Sequence, residues 1–136
     1  MVARAVVIDD ETEVLDLIEQ ILKEEGLSVK RCTRAEELLD SLPEQSFDII
    51  ICDLILPGIS GLELLDMLHS MHNETPFVLI TGYASLDTAI QAVNRGAFHY
   101  IKKPFTIEEI RLVINRLRQR QDLLAEVRSL KEQVVR

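Results

Sequence analysis

Five short apolar runs rich in β-branched residues alternate along this chain with longer stretches whose apolar residues recur every three or four positions. The runs AVVI (5–8), LSVKRC (27–32), FDIIIC (47–52), PFVLI (76–80) and AFHYI (97–101) predict strands. The first intervening stretch, 11–25, carries Val14, Leu15, Ile18, Ile21 and Leu22 at helix spacing. Further helices are expected over 34–41, 61–71 and 85–95, and a last one from near Ile107 almost to the end. The pairs Thr33…Glu36, Ser60…Glu63 and Thr106…Glu109 match the capping box, in which side chain and backbone satisfy each other's unpaired groups. Gly26 and Gly96 stand where a left-handed residue closes a helix, and Pro57-Gly58 marks a loop after the third strand. No internal repeat is visible.

A strand-helix unit used five times in 136 residues has the size of one domain. Strands this apolar are buried on both faces, which calls for a parallel sheet with helices on each side. Right-handed crossovers leave few topologies. The expected fold is therefore α/β: a doubly wound, five-stranded parallel sheet in the order 2-1-3-4-5 with five helices, flavodoxin-like, its last helix extended. Residues 1–118 would form the domain and 119–136 a helical extension. In such sheets the ligand site lies at the carboxyl ends of the strands, where the winding reverses between strands one and three.

Charge narrows the partners. Residues 1–105 carry 18 acids and 8 bases, whereas 106–136 carry 5 acids and 7 bases. An acidic body disfavours direct nucleic-acid binding and suits a cation site or a partner with a basic face. No apolar run approaches the ~18 residues of a membrane span, and the start reaches two acids too soon for a secretory signal, so a cytoplasmic protein is expected. Cys32 and Cys52 sit in apolar stretches and read as buried small hydrophobes. His69, His72 and His99 have no partners at metal-ligand spacing.

The predicted topology gathers polar groups on one edge. Strand one ends in Asp9-Asp10-Glu11, strand three in Asp53, strand four in Thr81-Gly82, strand five in Lys102-Lys103-Pro104. Singly, each has an ordinary alternative: Asp9 or Asp10 capping a helix, Asp53 opening a turn, Thr81 entering a helix, Lys103 solvated at the surface. Together, five polar groups from four strand ends share one pocket. Two carboxylates ~5 Å apart repel by ~3 kcal/mol at an effective dielectric of ~20. Three need a cation or shared protons, and a hard divalent ion such as Mg²⁺ answers that need. A carboxylate nucleophile with metal, hydroxyl and ammonium around it is a phosphoryl-transfer site.

The blocks VVIDDE, ICDLILPGISGLELL, LITGYAS and GAFHYIKKPF resemble the signature blocks of bacterial two-component response-regulator receiver domains, in order and spacing, over about residues 3–118. The resemblance implies that Asp53 accepts a phosphoryl group from a sensor histidine kinase. It implies that Asp10, Asp53 and the backbone carbonyl of Ile55 ligate Mg²⁺, with Asp9 acting through a metal-bound water. Thr81 and Lys103 would bind phosphoryl oxygens, and Thr81 and Tyr100 would form the switch. The domain would be a signalling receiver that catalyses only its own phosphorylation and dephosphorylation. Leu56 stands where Met is common in the family and His99 where Asp is common; neither lies at the reacting centre.

The stretch TGYASLDTAIQAVNRGAFHYIKKPFTIEEI is most similar to receivers of enhancer-binding transcription activators, which implies an output with ATPase and DNA-binding domains outside this sequence. A chain cut from a longer regulator is expected in preference to a stand-alone receiver. Two other classes fit less well. An aspartyl-phosphate phosphatase or transferase resembles D-x-D, and the second acid would fall at Ile55. A flavin domain of the same fold needs a Ser/Thr/Gly-rich loop after strand one, where this chain has DDETEV.

The tail predicts a partner of its own. Ile110, Leu117 and Leu124 recur at seven, as do Val113, Val127 and Val134, with Lys131 and Arg120 interrupting. Beyond residue 118 a helix overhangs by ~24 Å. Pairing with a second copy as a parallel coiled coil would bury that seam.

Overall fold

A computed structural model describes residues 3–135. It contains β1 (Ala3–Ile8), α1 (Thr12–Glu24), β2 (Leu27–Cys32), α2 (Ala35–Ser41), β3 (Ile49–Asp53), α3 (Gly61–Ser70), β4 (Phe77–Thr81), α4 (Leu86–Asn94), β5 (His99–Lys102) and α5 (Ile107–Val135). The sheet runs β2-β1-β3-β4-β5, every neighbouring pair parallel, which is the expected doubly wound order.

Alternation along the strands builds two cores. Ala5, Val7, Ile49, Ile51, Val78 and Ile80 face α1 and α5. Val6, Ile8, Ile50, Cys52, Phe77 and Leu79 face the other side, where Leu38 of α2, Leu64, Leu65 and Leu68 of α3 and Ala92 of α4 close over them. β1, β3 and β4 are covered on both faces, so their side chains are apolar in succession rather than polar at every second place. Both cysteines are buried, as expected. Burial raises the Cys32 thiol to about 11, with Glu37 adding to the rise.

Helix termini follow the sequence with one exception. Ser60 caps α3 in a complete box with Glu63, and Thr106 and Glu109 exchange the same two bonds at the start of α5. Gly26 and Gly96 have φ of +88° and +80°, the left-handed conformation expected after α1 and α4. The Thr33–Glu36 box does not form. α2 starts one residue later, with Arg34 as its N-cap. Glu37 takes the Thr33 N–H and hydroxyl, while Glu36 pairs with Arg34 at 2.9 Å.

The tail also departs from its simplest reading. Ile110, Val113 and Leu117, half of the expected seam, are buried in the domain's own core with Ile114. Two arginines of the same helix, Arg111 and Arg118, reach Glu25 at the end of α1. Beyond Arg118 the helix continues with Leu123, Leu124, Val127, Leu130 and Val134 exposed.

Candidate functional site

Parallel pairing puts the carboxyl ends of β1, β3, β4 and β5 on one edge, and the polar residues that follow them meet there. Asp9 directly follows β1 and is 2% exposed; Asp53 ends β3 and is 7% exposed. Lys103, just past β5, bridges them: its Nζ lies 2.8 Å from Asp9 Oδ2 and 3.0 Å from Asp53 Oδ2. The Lys103 N–H donates to the Thr81 carbonyl at 2.8 Å, which fixes where its side chain begins. Asp9 Oδ1 accepts the Glu11 N–H, and Asp53 Oδ1 accepts the Ile55 N–H. Each bond closes a turn two residues long that holds the carboxylate at the entrance to its loop, so Asp53 does open a turn while Asp9 does not cap α1. α1 begins at Thr12, and its N-cap residue Glu11 makes no side-chain cap bond.

Asp10 is exposed, yet Asp9, Asp10 and Asp53 each bring one carboxylate oxygen within 4.8 Å of the others. Three carboxylates share one ammonium, so the pocket carries excess negative charge. The donor set is entirely hard oxygen, which fits Mg²⁺. Burial pushes the Asp53 carboxyl above its ordinary range; the Lys103 hydrogen bond opposes this and the Asp9 charge adds to it. Burial pulls the Lys103 ammonium down, but its bonds to Asp9 and Asp53 more than offset that, and its pKa is raised. Lys103 is a cation in this pocket, and Lys102, its rival in sequence, is exposed.

Thr81 is fully buried at the end of β4 and accepts the Tyr83 N–H on its hydroxyl at 2.9 Å. Ile55 is half-exposed on the loop after Asp53, and Tyr83 stands in solvent at 72%. Tyr100 lies on β5 opposite Leu79, and its hydroxyl is 2.6 Å from that of Thr88 in α4. The pocket thus gathers Asp9, Asp10, Asp53 and Lys103 directly, with Thr81 at the end of β4 and Tyr100 inside β5 beside it.

Two further residues, neither singled out by the sequence patterns above, shape the site. A Cβ on Gly61 would come within 2.5 Å of the Asp53 carbonyl and 2.8 Å of Leu79, so only glycine lets α3 start this close to the end of β3. The signal was a glycine straight after the Ser60 cap. Ser85 caps α4 in a box with Thr88, unread because its third helical residue is Thr, not Glu or Gln.

Charge excess, an oriented lysine and a carboxylate with a cation-binding neighbour suit transfer of a phosphoryl group to Asp53. Comparison with known proteins agrees with the fold and the blocks. The family described as the response regulator receiver domain matches residues 5–115. The nitrogen assimilation regulatory protein NtrX of Azorhizobium caulinodans is 34% identical over 128 residues, 93% of this chain and 28% of that protein. The DNA-binding transcriptional regulator NtrC of Klebsiella pneumoniae is 33% identical over 81% of this chain and 24% of its own length. The chain thus spans about a quarter of the curated relatives it matches. A receiver domain structure from Clostridium thermocellum superposes with a TM-score of 0.81 at 33% identity, covering 90% of this chain and 98% of that one.

Proposed function

Because this chain belongs to the response regulator receiver domain family, a family of signalling modules rather than metabolic enzymes, we propose that it accepts a phosphoryl group on Asp53 from a sensor histidine kinase. The observation that carries this is Lys103 bridging Asp9 and Asp53, with Asp10 completing a carboxylate cluster at the same strand ends. Asp10, Asp53 and the Ile55 carbonyl would hold Mg²⁺, with Asp9 acting through a bound water. When bound, Mg²⁺ offsets charge on the transferring oxygens. The chain's own groups do the rest. Asp53 supplies the attacking carboxylate oxygen, the phosphorus–nitrogen bond to the donor histidine breaks in line, and Lys103 neutralises a phosphoryl oxygen. The Thr81 hydroxyl then turns from the Tyr83 N–H to another phosphoryl oxygen, and Tyr100 moves into the space vacated. This is a shift between two states, biased by contacts that only the phosphorylated site makes.

The receiver would occupy residues 1–118, and 119–136 would link it to an output. The Klebsiella pneumoniae relative NtrC is a DNA-binding transcriptional regulator. With the likeness of 81–110 to enhancer-binding activators, this supports a transcriptional output with ATPase and DNA-binding parts beyond this sequence, in the cytoplasm. No described helix is long and apolar enough to cross a membrane.

We infer a homodimer through α5, in the register of its exposed residues, since Ile110, Val113 and Leu117 of the sevenfold repeat are buried in the domain core. Leu123, Val127, Leu130 and Val134 are spaced four, three and four, and all are exposed. This places Val at a and Leu at d, the preference of parallel two-stranded coils. It also takes Lys131 out of the seam to e, facing Glu126 at g of a second copy.

The test is intact mass after treatment with acetyl phosphate and Mg²⁺. One phosphoryl group is expected on the wild type, none without a divalent ion, and none on Asp53→Asn. Equal labelling of Asp53→Asn would overturn the assignment.

A further inference from the structure

We propose that Thr88 is a positioning residue that holds Tyr100 in its unphosphorylated place, making the N-terminal cap of α4 and the tyrosine one hydrogen-bonded unit. The inference rests on the reading of Tyr100 as the switch, and goes beyond it by naming what the switch must let go.

The Tyr100 and Thr88 hydroxyls are 2.6 Å apart. The Thr88 hydroxyl is also 3.1 Å from the Ser85 N–H, the Ser85 carbonyl and the Ser85 hydroxyl. A hydroxyl has one proton and two lone pairs. With Tyr100 as donor, the Ser85 N–H takes one lone pair of Thr88, the Tyr100 O–H takes the other, and the Thr88 proton goes to the Ser85 carbonyl. The hydroxyl is then fully used. Swinging Tyr100 away removes a partner from a part-buried group, a change that costs free energy.

The same segment is tied at its other end. Tyr83 donates its N–H to the Thr81 hydroxyl at 2.9 Å. The stretch from Tyr83 to Thr88 is therefore pinned to β4 at one end and to β5 at the other. Drawing the Thr81 side chain toward a phosphoryl oxygen would carry its hydroxyl away from the Tyr83 N–H, so the latch assigns the Thr88–Tyr100 bond to the unphosphorylated state. A phosphoryl oxygen that recruits Thr81 undoes the first tie, and the second then sets how readily the tyrosine follows. The latch depends on a hydroxyl at residue 88, since an aliphatic residue there would leave Tyr100 unheld.

The test uses the whole chain and beryllium fluoride with Mg²⁺, a phosphoryl mimic, titrated while amide NMR signals of Thr81 and Tyr83 are followed. Thr88→Val and Tyr100→Phe should each tighten apparent binding about fivefold, the factor for one net hydrogen bond of ~1 kcal/mol. The double variant should gain no more than either single one, and Thr88→Ser should behave as wild type. Tyr100→Phe leaves the Ser85 cap intact, so an effect it shares with Thr88→Val comes from the hydroxyl pair and not from a weakened helix. Unchanged binding in both single variants, or effects that add, would overturn the latch alone. A wild type that shows no saturable response would overturn the phosphoryl-accepting reading, and the latch with it.

Discussion

Replacing Lys103 by Met exchanges an ammonium for a thioether of similar length and leaves three carboxylates facing one another. At an effective dielectric of about 20, the contacts at 2.8 and 3.0 Å each attract by ~5–6 kcal/mol. The carboxylates, within 4.8 Å of each other, repel by ~3 kcal/mol or more per pair on the same footing. The cost of burying the ammonium, whose side chain is 15% exposed, cancels much of the attraction. What remains is the measured penalty for breaking a buried pair, ~3–5 kcal/mol, and the exposure of Asp10 to water puts this pocket near the lower end. For a packed body of roughly 110 residues, ~3 kcal/mol lowers Tm by about 13 °C. Calorimetry in EDTA at pH 7.5 should show that drop. Mg²⁺ should then narrow the gap between variant and wild type, because it binds more tightly to a pocket with one more uncompensated negative charge and stabilises by mass action. A variant that melts with wild type in EDTA, or a gap that Mg²⁺ leaves unchanged, would refute this account of the pocket.

Other consequences concern lifetime, assembly and the buried thiols. Ile55 follows the site by two residues and offers nothing to orient water, so Ile55→Asn should shorten the life of the phosphorylated protein several-fold in a decay followed by intact mass; equal decay rates would reject the idea. Sedimentation equilibrium should find a dimer for the whole chain and a monomer for one stopped at Arg118, whereas monomers for both at tens of micromolar would remove the coiled coil. Because burial raises Cys32 from 9.0 to about 11, its stabilising contribution is whole below pH 9 and is lost as pH climbs through 11. At pH 8 it should react with a disulfide reagent only as fast as the protein unfolds, and rapid labelling of native protein would contradict its burial.

The fold and the heart of the site were legible because both follow from strand ends. Once β-branched runs are spaced by helices, a parallel sheet follows, and the order 2-1-3-4-5, one of the few that right-handed crossovers leave, brings Asp9, Asp53 and Lys103 together. Competition among near-equal partners was not legible. Glu36 and Glu37 are both acids in the first turn of α2, and only packing decides that Glu37 serves Thr33 while Glu36 turns to Arg34. Heptad spacing has the same weakness. Ile110, Val113 and Leu117 repeat as a coiled-coil seam would, yet they pack on the domain's own sheet, because periodicity records that a face is apolar and not what covers it. The Thr88–Tyr100 bond joins residues twelve apart on a helix and the following strand, a contact that no local pattern announces.

Asp53, and no other acid of the pocket, is predicted to carry the phosphoryl group. Borohydride reduces an aspartyl phosphate to homoserine, and peptide mass mapping after treatment with acetyl phosphate and Mg²⁺ would locate it. Homoserine in place of Asp53 alone is the predicted result. Homoserine in place of Asp9 or Asp10, or none in a chain that has gained a phosphoryl group, would contradict it.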